Sequence, residues 1–505
     1  MRLAGWICAL LLWPGAAQAE WLEASSAHFV VYADDSEANL RRFAERLERY
    51  HAAMELVTRR KIPPLSPSNR LTVYVVNNDV EVRQLARSDD PWLNGFYMPR
   101  AGGSLAVVPS QNAKAGDAER SLTTLLHEYA HHFSISISSS PPPLWFAEGS
   151  AEFFASATFK SSGEVRLGEH AENRVRELRR ASQITARDVL DTSGTDRSGS
   201  TYLGFYAKSW LLYHYLVFEP RRQGQLAQYL AAITAGTRSL DAAQNAFGDL
   251  DVLERELDEY ASRRKFYYFA VPADAIRPSP VTIQGLPAGE SAAMQIRIRL
   301  RVGTDRQKAR ELSAQTRAIA AQFPRDPGVL STLAEAERSA GDDRGAITAA
   351  DAALAIDPAR IDGYLQKGLA LFDIAESTGD AGDFAKARDA FAALSAREPD
   401  HPLPLAYSFR SYLAQGEIPP PQAMQLMQRA VDLAPFDRSL RMSLARQQVR
   451  QGQADAARAN LLPIANDPHG GSRAAEARSI LASLNAKPES APVDRGEARG
   501  PKVRH

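Results

Sequence analysis

The sequence predicts a two-part protein in which an α+β domain is followed by an all-α helical repeat. Short β-type runs alternate with amphipathic helices before residue 112, and helices that contain histidine and glutamate follow up to residue 270. Beyond residue 340, glycine and proline recur at similar intervals. We therefore expect a strand-rich part at residues 20–112, a helical part at 113–270, a linker at 271–289, and helical repeats at 290–485.

The first residues have the pattern of an export signal. Arg2 precedes an apolar run that reaches Trp13, and a small-x-small cleavage pattern ends at Ala19. We expect residues 1–19 to be a Sec-type signal peptide cleaved after Ala19, which implies a periplasmic or secreted bacterial protein. An uncleaved anchor is the alternative, but the run is short for a membrane span. We expect no stable membrane span after cleavage.

The cysteine content and the charge balance indicate where the protein resides and which classes of partner are excluded. Cys8 is the only cysteine and lies in the signal, so the mature chain cannot form a disulfide, which fits a bacterial periplasmic protein. Lysine plus arginine and aspartate plus glutamate number 60 each. This balance argues against nucleic acid or an anionic membrane as the main partner.

The strand-rich part combines β-type runs with two helices. The patterns predict strands at His28–Tyr32, Leu71–Val76, Gly95–Tyr97 and Ser104–Val108, and helices at Ser36–Leu56 and Asp79–Ala86.

The next helix carries the sequence His127-Glu128-Tyr129-Ala130-His131. Residues four apart lie on one helix face, so His127 and His131 can hold one metal ion between them. Glu128 stands beside the first ligand, where its carboxylate could take a proton from a metal-bound water. The alternative is a solvated helix surface with no metal.

A second helix, beginning near Leu144 after a run of prolines, supplies further ligand candidates. Catalytic zinc usually has three protein ligands, so the two histidines need one more. Glu148 and Glu152 lie four apart on one face of this helix. One carboxylate can bind zinc, and the other can accept the free ring N–H of a histidine ligand.

The two motifs together resemble those of the gluzincin metallopeptidases, the thermolysin-like and M1-aminopeptidase-like superfamily. The Trp145-to-Glu152 stretch is similar to the M1 segment that carries the third ligand. The resemblance implies one zinc ion held by His127, His131 and Glu148, with Glu128 as the catalytic base and Glu152 supporting a histidine. It also implies that a substrate peptide pairs with an edge strand, for which we expect Ser104, Leu105, Ala106, Val107 and Val108.

An aromatic helix from Tyr202 to Phe218 is predicted to be mostly core. Tyr206 or His214 could instead face the zinc as an oxyanion donor.

The C-terminal part has the pattern of a helical repeat, and it resembles tetratricopeptide (TPR) repeats. An earlier unit is expected at Ser291–Pro327; its segment Met294–Leu300 alternates like a strand, but the phase of the repeat favours a helix. Residues 486–505 are polar and are expected to be disordered. The repeating residues are Gly341, Gly382, Gly416 and Gly452, each followed by one of Pro358, Pro399, Pro435 and Pro468.

The sequence thus predicts an exported zinc-dependent peptidase whose TPR repeats recruit a protein partner or substrate and take no part in the chemistry. A chain ending near Pro280 is accordingly expected to keep zinc and cleave short peptides. The alternatives are a zinc-binding or metal-free pseudopeptidase that acts as a TPR scaffold in the cell envelope, and a purely structural zinc.

Overall fold

The computed structural model describes residues 21–62, 64–91, 93–110, 115–137, 142–180, 183–191, 199–466 and 471–485. The predicted signal peptide and the predicted disordered tail lie outside these residues.

The N-terminal part is built on a mixed six-stranded sheet in the order β4-β5-β3-β2-β1-β9. Strands β2, β3 and β5 are parallel, and the outer pairings are antiparallel. Three short strands, β6, β7 and β8, form a second sheet. The strands are β1 Leu22–Ser25, β2 Phe29–Ala33, β3 Leu71–Val76, β4 Phe96–Met98, β5 Leu105–Pro109, β6 Thr158–Phe159, β7 Val165–Leu167, β8 Phe269–Val271 and β9 Thr282–Gly285.

The helices of this part cover both faces of the main sheet. Because side chains alternate along a strand, Val31 and Val73 face the large core beneath α1 and α3, while Val30 and Val107 face a smaller core on the other side. The helices are α1 Glu37–Thr58, α2 Asp79–Ala86, α3 Ala115–Ile137, α4 Leu144–Ala155, α5 Glu172–Arg180, α6 Ala186–Leu190, α7 Gly199–Phe218, α8 Gln225–Thr234, α9 Ser239–Phe247 and α10 Leu250–Ala261.

The predicted substrate strand is an interior strand, so this prediction is wrong. β5, which contains Leu105, Ala106, Val107 and Val108 directly after Ser104, pairs with β3 on one side and with β4 on the other. The turn at Gly102 and Gly103 has positive φ angles and folds β4 back alongside β5. All five residues of β5 are buried, as is usual for a strand with neighbours on both sides. Among the described strands, β4 is the edge strand on this side of the sheet, and β9 is the edge strand on the other side.

The predicted linker at residues 271–289 is also corrected. Within it, β9 pairs antiparallel with β1 along Leu22–Ser25, and the helix α11 begins at Ala288. Prolines prevent a helix in this segment, but its run Thr282–Gly285 still completes the sheet. The repeat phase correctly predicted a helix at Met294–Leu300, which lies inside α11.

The C-terminal part is a succession of packed helix pairs, such as α13 with α14 and α15 with α16, which confirms the predicted helical repeat. Neighbouring helices pack through small residues such as Ala334, Ala350 and Ala353, which are buried between them. The helices are α11 Ala288–Val302, α12 Arg306–Gln322, α13 Pro327–Ala340, α14 Asp343–Ile356, α15 Ile361–Thr378, α16 Ala381–Arg397, α17 Pro402–Ala414, α18 Pro421–Leu433, α19 Arg438–Arg450, α20 Ala454–Ala465 and α21 Gly471–Asn485.

One glycine of the predicted repeat is misassigned. Gly341, Gly416 and Gly452 have positive φ angles after the first helix of a pair, but Gly382 lies in the first turn of α16. Gly379 occupies the equivalent place, with a φ of 68°. With Gly379 the spacings become 38, 37 and 36 residues, which is more regular than the sequence pattern suggested. Pro468 lies outside the described residues.

The chain forms two compact units with a boundary between Leu440 and Arg441. The second unit has its own small core, in which Met442, Leu461 and Ile464 are buried. None of the helices in the described ranges is long and apolar enough to cross a membrane.

Candidate metal site

Two packed helices, α3 and α4, bring the predicted ligands together. α3 carries His127 and His131, and α4 carries Glu148. Gly149 allows α4 to approach α7, because a Cβ at this position would lie 2.3 Å from the backbone oxygen of Ser209. Any larger residue would push α4 away, so the glycine fixes the depth at which Glu148 sits.

The three predicted ligand atoms form a small triangle. The Nε2 atoms of His127 and His131 are 3.1 Å apart, and each lies 3.4 Å from Oε2 of Glu148. Glu148 is fully buried, whereas the side chains of His127 and His131 are 12% and 13% exposed. The triangle is therefore buried on the carboxylate side and reachable from solvent on the histidine side.

This triangle fits a tetrahedral zinc ion. Ligand atoms about 2.0–2.1 Å from zinc are separated by about 3.3–3.4 Å in a tetrahedron, close to the observed distances. Two imidazoles and one carboxylate are a donor set that zinc accepts, and three protein ligands leave one position for water. His127, His131 and Glu148 also form the one candidate metal cluster among the described residues.

Glu152 lies behind His127, as predicted for the supporting carboxylate. Its Oε1 is 3.1 Å from Nδ1 of His127, which leaves Nε2 directed at the triangle. Arg174 of α5 binds both oxygens of Glu152, with distances of 2.7 and 2.5 Å. The arginine holds the carboxylate in place and, through it, fixes the orientation of the imidazole.

The charges of the site are strongly coupled. Burial alone would lower the pKa of His127, but the carboxylates of Glu152 and Glu148 outweigh it and raise that pKa to about 10. Burial alone would raise the pKa of Glu148, but His131 and His127 hold it well below its usual range. Without metal, the cluster therefore keeps a proton on His127 and a charge on Glu148. Metal binding must displace that proton, so affinity should fall in acid.

Glu128 lies on α3 between the two histidines and is partly exposed. Tyr97 of β4 is close to it: burial raises the pKa of the tyrosine, and the Glu128 carboxylate raises it further. The Tyr97 hydroxyl is 2.7 Å from Nδ1 of His132, the residue after His131. The edge strand and the candidate metal helix are thus joined beside the triangle.

The two proposed oxyanion donors have different surroundings. His214 is fully buried, with Nδ1 2.9 Å from the Tyr260 hydroxyl and Nε2 3.0 Å from the Gly168 carbonyl oxygen. Both ring nitrogens are engaged away from the metal triangle, so the prediction for His214 is wrong and its role is in the core. Tyr206 has its ring 6.3 Å from that of His127 and remains a candidate.

Sequence reasoning missed two contributors to the site. Arg174 belongs to a strongly basic helix, where nothing in the sequence marks one arginine as the partner of Glu152. Tyr97 lies in a predicted strand, but its contact with His132 depends on which strand forms the edge of the sheet. Only the fold could reveal either contact.

Two variants should separate the ligand from its support. Glu148→Ala is expected to lower zinc affinity by more than about 100-fold, because it removes a ligand, whereas Glu152→Ala should weaken it by about 10–100-fold. Titration with zinc in a competing chelator measures both. Glu256→Ala is a matched control, since its carboxylate binds Arg222 and Tyr215 away from the triangle. Equal losses in the Glu148 and Glu152 variants would contradict the assignment.

Residues 121–238 match a family model described as a protein of unknown function, DUF1570. The match begins on α3 and ends after α8, so it includes every ligand of the triangle together with Glu152 and Arg174. No curated protein matches the chain at a significant level.

The chain is also similar to solved TPR structures. One is TTC0263, a thermophilic TPR protein of Thermus thermophilus, with 18% identity, 39% of this chain and 96% of that chain covered, and a TM-score of 0.31. Another is MamA of Desulfovibrio magneticus, with 20% identity, 39% and 97% covered, and a TM-score of 0.26. Because both TM-scores are low, these structures do not superpose closely on this chain. The evidence for the helical repeat is therefore the packing of the helix pairs in this chain itself.

Proposed function

We propose that this chain is an exported zinc-dependent peptidase with a gluzincin-like domain, whose helical repeats engage a protein substrate or partner. The observation that carries the proposal is the triangle of His127, His131 and Glu148, whose ligand atoms are separated as in a tetrahedral zinc site. Glu128 follows His127 directly in the sequence. A zinc-dependent peptidase needs this combination of an open metal position and a nearby base.

Each residue has a defined role in this proposal. Bound zinc would supply Lewis acidity that makes a water molecule nucleophilic near neutral pH. Glu128 accepts a proton from that water and passes it to the leaving amine. Glu152, held by Arg174, keeps His127 in the tautomer that presents Nε2. Tyr206 is the candidate donor to a developing oxyanion.

The peptide-binding edge in this proposal is β4, in place of the interior strand β5. Phe96–Met98 pairs with β5 on one side and has no strand on the other among the described residues. Its free backbone groups can pair with an extended peptide through main-chain hydrogen bonds. The hydrogen bond between the Tyr97 hydroxyl and Nδ1 of His132 on α3 supports this choice of edge.

A second candidate function is a scaffold, in which a pseudopeptidase domain supports the repeats. The observation that favours it is the extent of the repeats, because stacked helix pairs are sufficient by themselves for protein binding. This function needs neither catalysis nor metal. It would leave the DUF1570 match and the triangle as structural features.

One experiment separates the two functions. Zinc per chain is measured in the purified protein, and cleavage of a diverse peptide library is followed with chelator and after zinc is restored. The peptidase should hold one zinc per chain, lose cleavage with chelator and regain it with zinc. Absence of cleavage across the library in the zinc-loaded protein would favour the scaffold.

A further inference from the structure

The tip of the β4–β5 hairpin is held by residues of the repeats, which lie far from it along the chain; Asp437 follows Ala101 by 336 positions. Gly102, with a φ of 67°, packs so closely against the repeats that a Cβ there would lie 2.8 Å from Cε1 of His401. The next contact is a hydrogen bond of 2.8 Å, in which the buried backbone N–H of Ala101 donates to Oδ2 of Asp437. The tip therefore depends on the repeats for its position.

Asp437 uses its two oxygens for two different partners. Oδ1 accepts hydrogen bonds from the backbone N–H groups of Ser439 and Leu440, at 2.8 and 3.0 Å, in the first turn of α19. Oδ2 is left for Ala101. One carboxylate thus caps a repeat helix and anchors the hairpin.

Phe436, the preceding residue, reaches the metal helix itself. Its ring is 4.5 Å from that of His132 and is almost fully buried. His132 in turn is hydrogen-bonded to Tyr97 of β4. Phe436 of the repeats therefore contacts His132 on α3, and His132 contacts Tyr97 on β4, so the three parts are connected by direct side-chain contacts.

The edge strand needs such support. β4 has three residues and pairs with one neighbour, and a strand this short is held weakly by its own ladder. We infer that Phe436 and Asp437 are positioning residues that fix β4 beside the metal helix, so that the repeats set the geometry of the peptide-binding edge. This inference rests on the proposed function for its consequence, but the positioning itself can be measured without catalysis.

The sharpest variant is Asp437→Asn. An asparagine keeps one oxygen, which still caps α19, since asparagine is among the best N-cap residues. Its amide NH2 then faces the N–H of Ala101, so the hairpin loses its acceptor while the helix keeps its cap. The variant therefore breaks one of two functions of a single side chain.

The chain offers a matched control in Asp326→Asn. Oδ1 of Asp326 accepts from the N–H groups of Gly328 and Val329 and caps α13, while Oδ2 accepts from the N–H of Glu290 at 3.0 Å. Here too, one carboxylate oxygen caps a helix and the other accepts a hydrogen bond from a distant backbone N–H, so the substitution makes the same chemical change. The site lies in a repeat loop that does not hold the hairpin. A change in hydrogen exchange or KM that both variants share would therefore come from a general effect on the repeats and not from the hairpin contact.

Hydrogen exchange and kinetics provide the readouts on the full zinc-loaded chain. Asp437→Asn should speed exchange of the amides of residues 96–103 by about 10-fold, because a buried donor is left without its acceptor. It should raise KM for a peptide substrate by about 10-fold, with kcat within about two-fold and zinc content unchanged. Asp326→Asn should change neither the hairpin exchange nor KM.

The outcomes separate this inference from the proposed function. Unchanged hairpin exchange in Asp437→Asn, or equal changes in both variants, would overturn the positioning role. Absence of hydrolysis in the wild type would remove the peptidase proposal, while exchange in the hairpin would still decide the positioning. If Asp437→Asn does not fold, Phe436→Leu keeps an apolar residue and tests the other positioning contact, that with the ring of His132. Faster exchange at Tyr97 is then expected, and unchanged exchange would contradict the inference.

Discussion

Replacing Glu128 by glutamine should reduce peptide hydrolysis by about 10²–10⁴-fold, the usual contribution of a general base. Glutamine has nearly the shape of glutamate but cannot accept the proton of the attacking water. Glu128 follows His127 on α3 and is not part of the ligand triangle. Zinc content should therefore remain at one per chain. The measurement is kcat/KM on a cleaved peptide, together with metal analysis of the same sample.

The Glu128 result is interpretable only beside controls. Glu256→Gln changes a carboxylate bound to Arg222 and should leave kcat/KM within about two-fold of the wild type. Loss of zinc from Glu128→Gln would assign Glu128 to the metal and contradict the role of base. Full activity would contradict the proposed role of Glu128 as the general base.

The sequence was informative where chemistry depends on local spacing. The pitch of an α-helix places His127 and His131, four residues apart, on one face of α3, and Glu148 lies in the same cluster. Gly149, the next residue, allows α4 to pack closely against α7. These relations need only helix geometry and one packing contact. The same holds for the helix at Met294–Leu300, where the period of the repeat outweighed a local alternation.

The sequence was less informative where the answer depends on neighbours far along the chain. The sequence favours β5 as the edge strand because β5 directly precedes α3. The outer position is instead occupied by β4, which the turn at Gly102 folds back beside β5. His214 is polar and lies on an aromatic helix, yet its partners come from Tyr260 and Gly168. The pairing of Arg174 with Glu152 likewise depends on tertiary packing.

The linker prediction had the widest consequence, because it implied that the first 280 residues form an independent unit. β9 begins at Thr282 and pairs along the whole of β1. The backbone N–H of Trp21 donates to Oγ of Ser291 on α11, and Met294 and Ile298 of that helix are fully buried against the back face of the sheet. The sheet is therefore completed by residues that follow the predicted boundary.

We accordingly expect a chain ending at Pro280 to lose the folded N-terminal domain, the reverse of the expectation from sequence. Burial of a side chain such as Met294 or Ile298 contributes about 1.5–3 kcal/mol each, and the truncation also exposes the side chains they cover. A total loss of this kind is comparable with the whole stability of a domain, about 5–15 kcal/mol. Circular dichroism, thermal unfolding and zinc content of the truncated protein measure the effect.

A second truncation tests whether the loss of β9 and α11 is what unfolds the chain that ends at Pro280. A chain ending at Gly303 keeps β9 and α11 but lacks the helices that follow, including Phe436 and Asp437. It should recover the folded sheet and bind zinc, while its β4–β5 hairpin exchanges faster than in the full chain. If the chain ending at Pro280 is already folded and holds zinc, the back face of the sheet does not need α11, and the boundary predicted from sequence is the correct one.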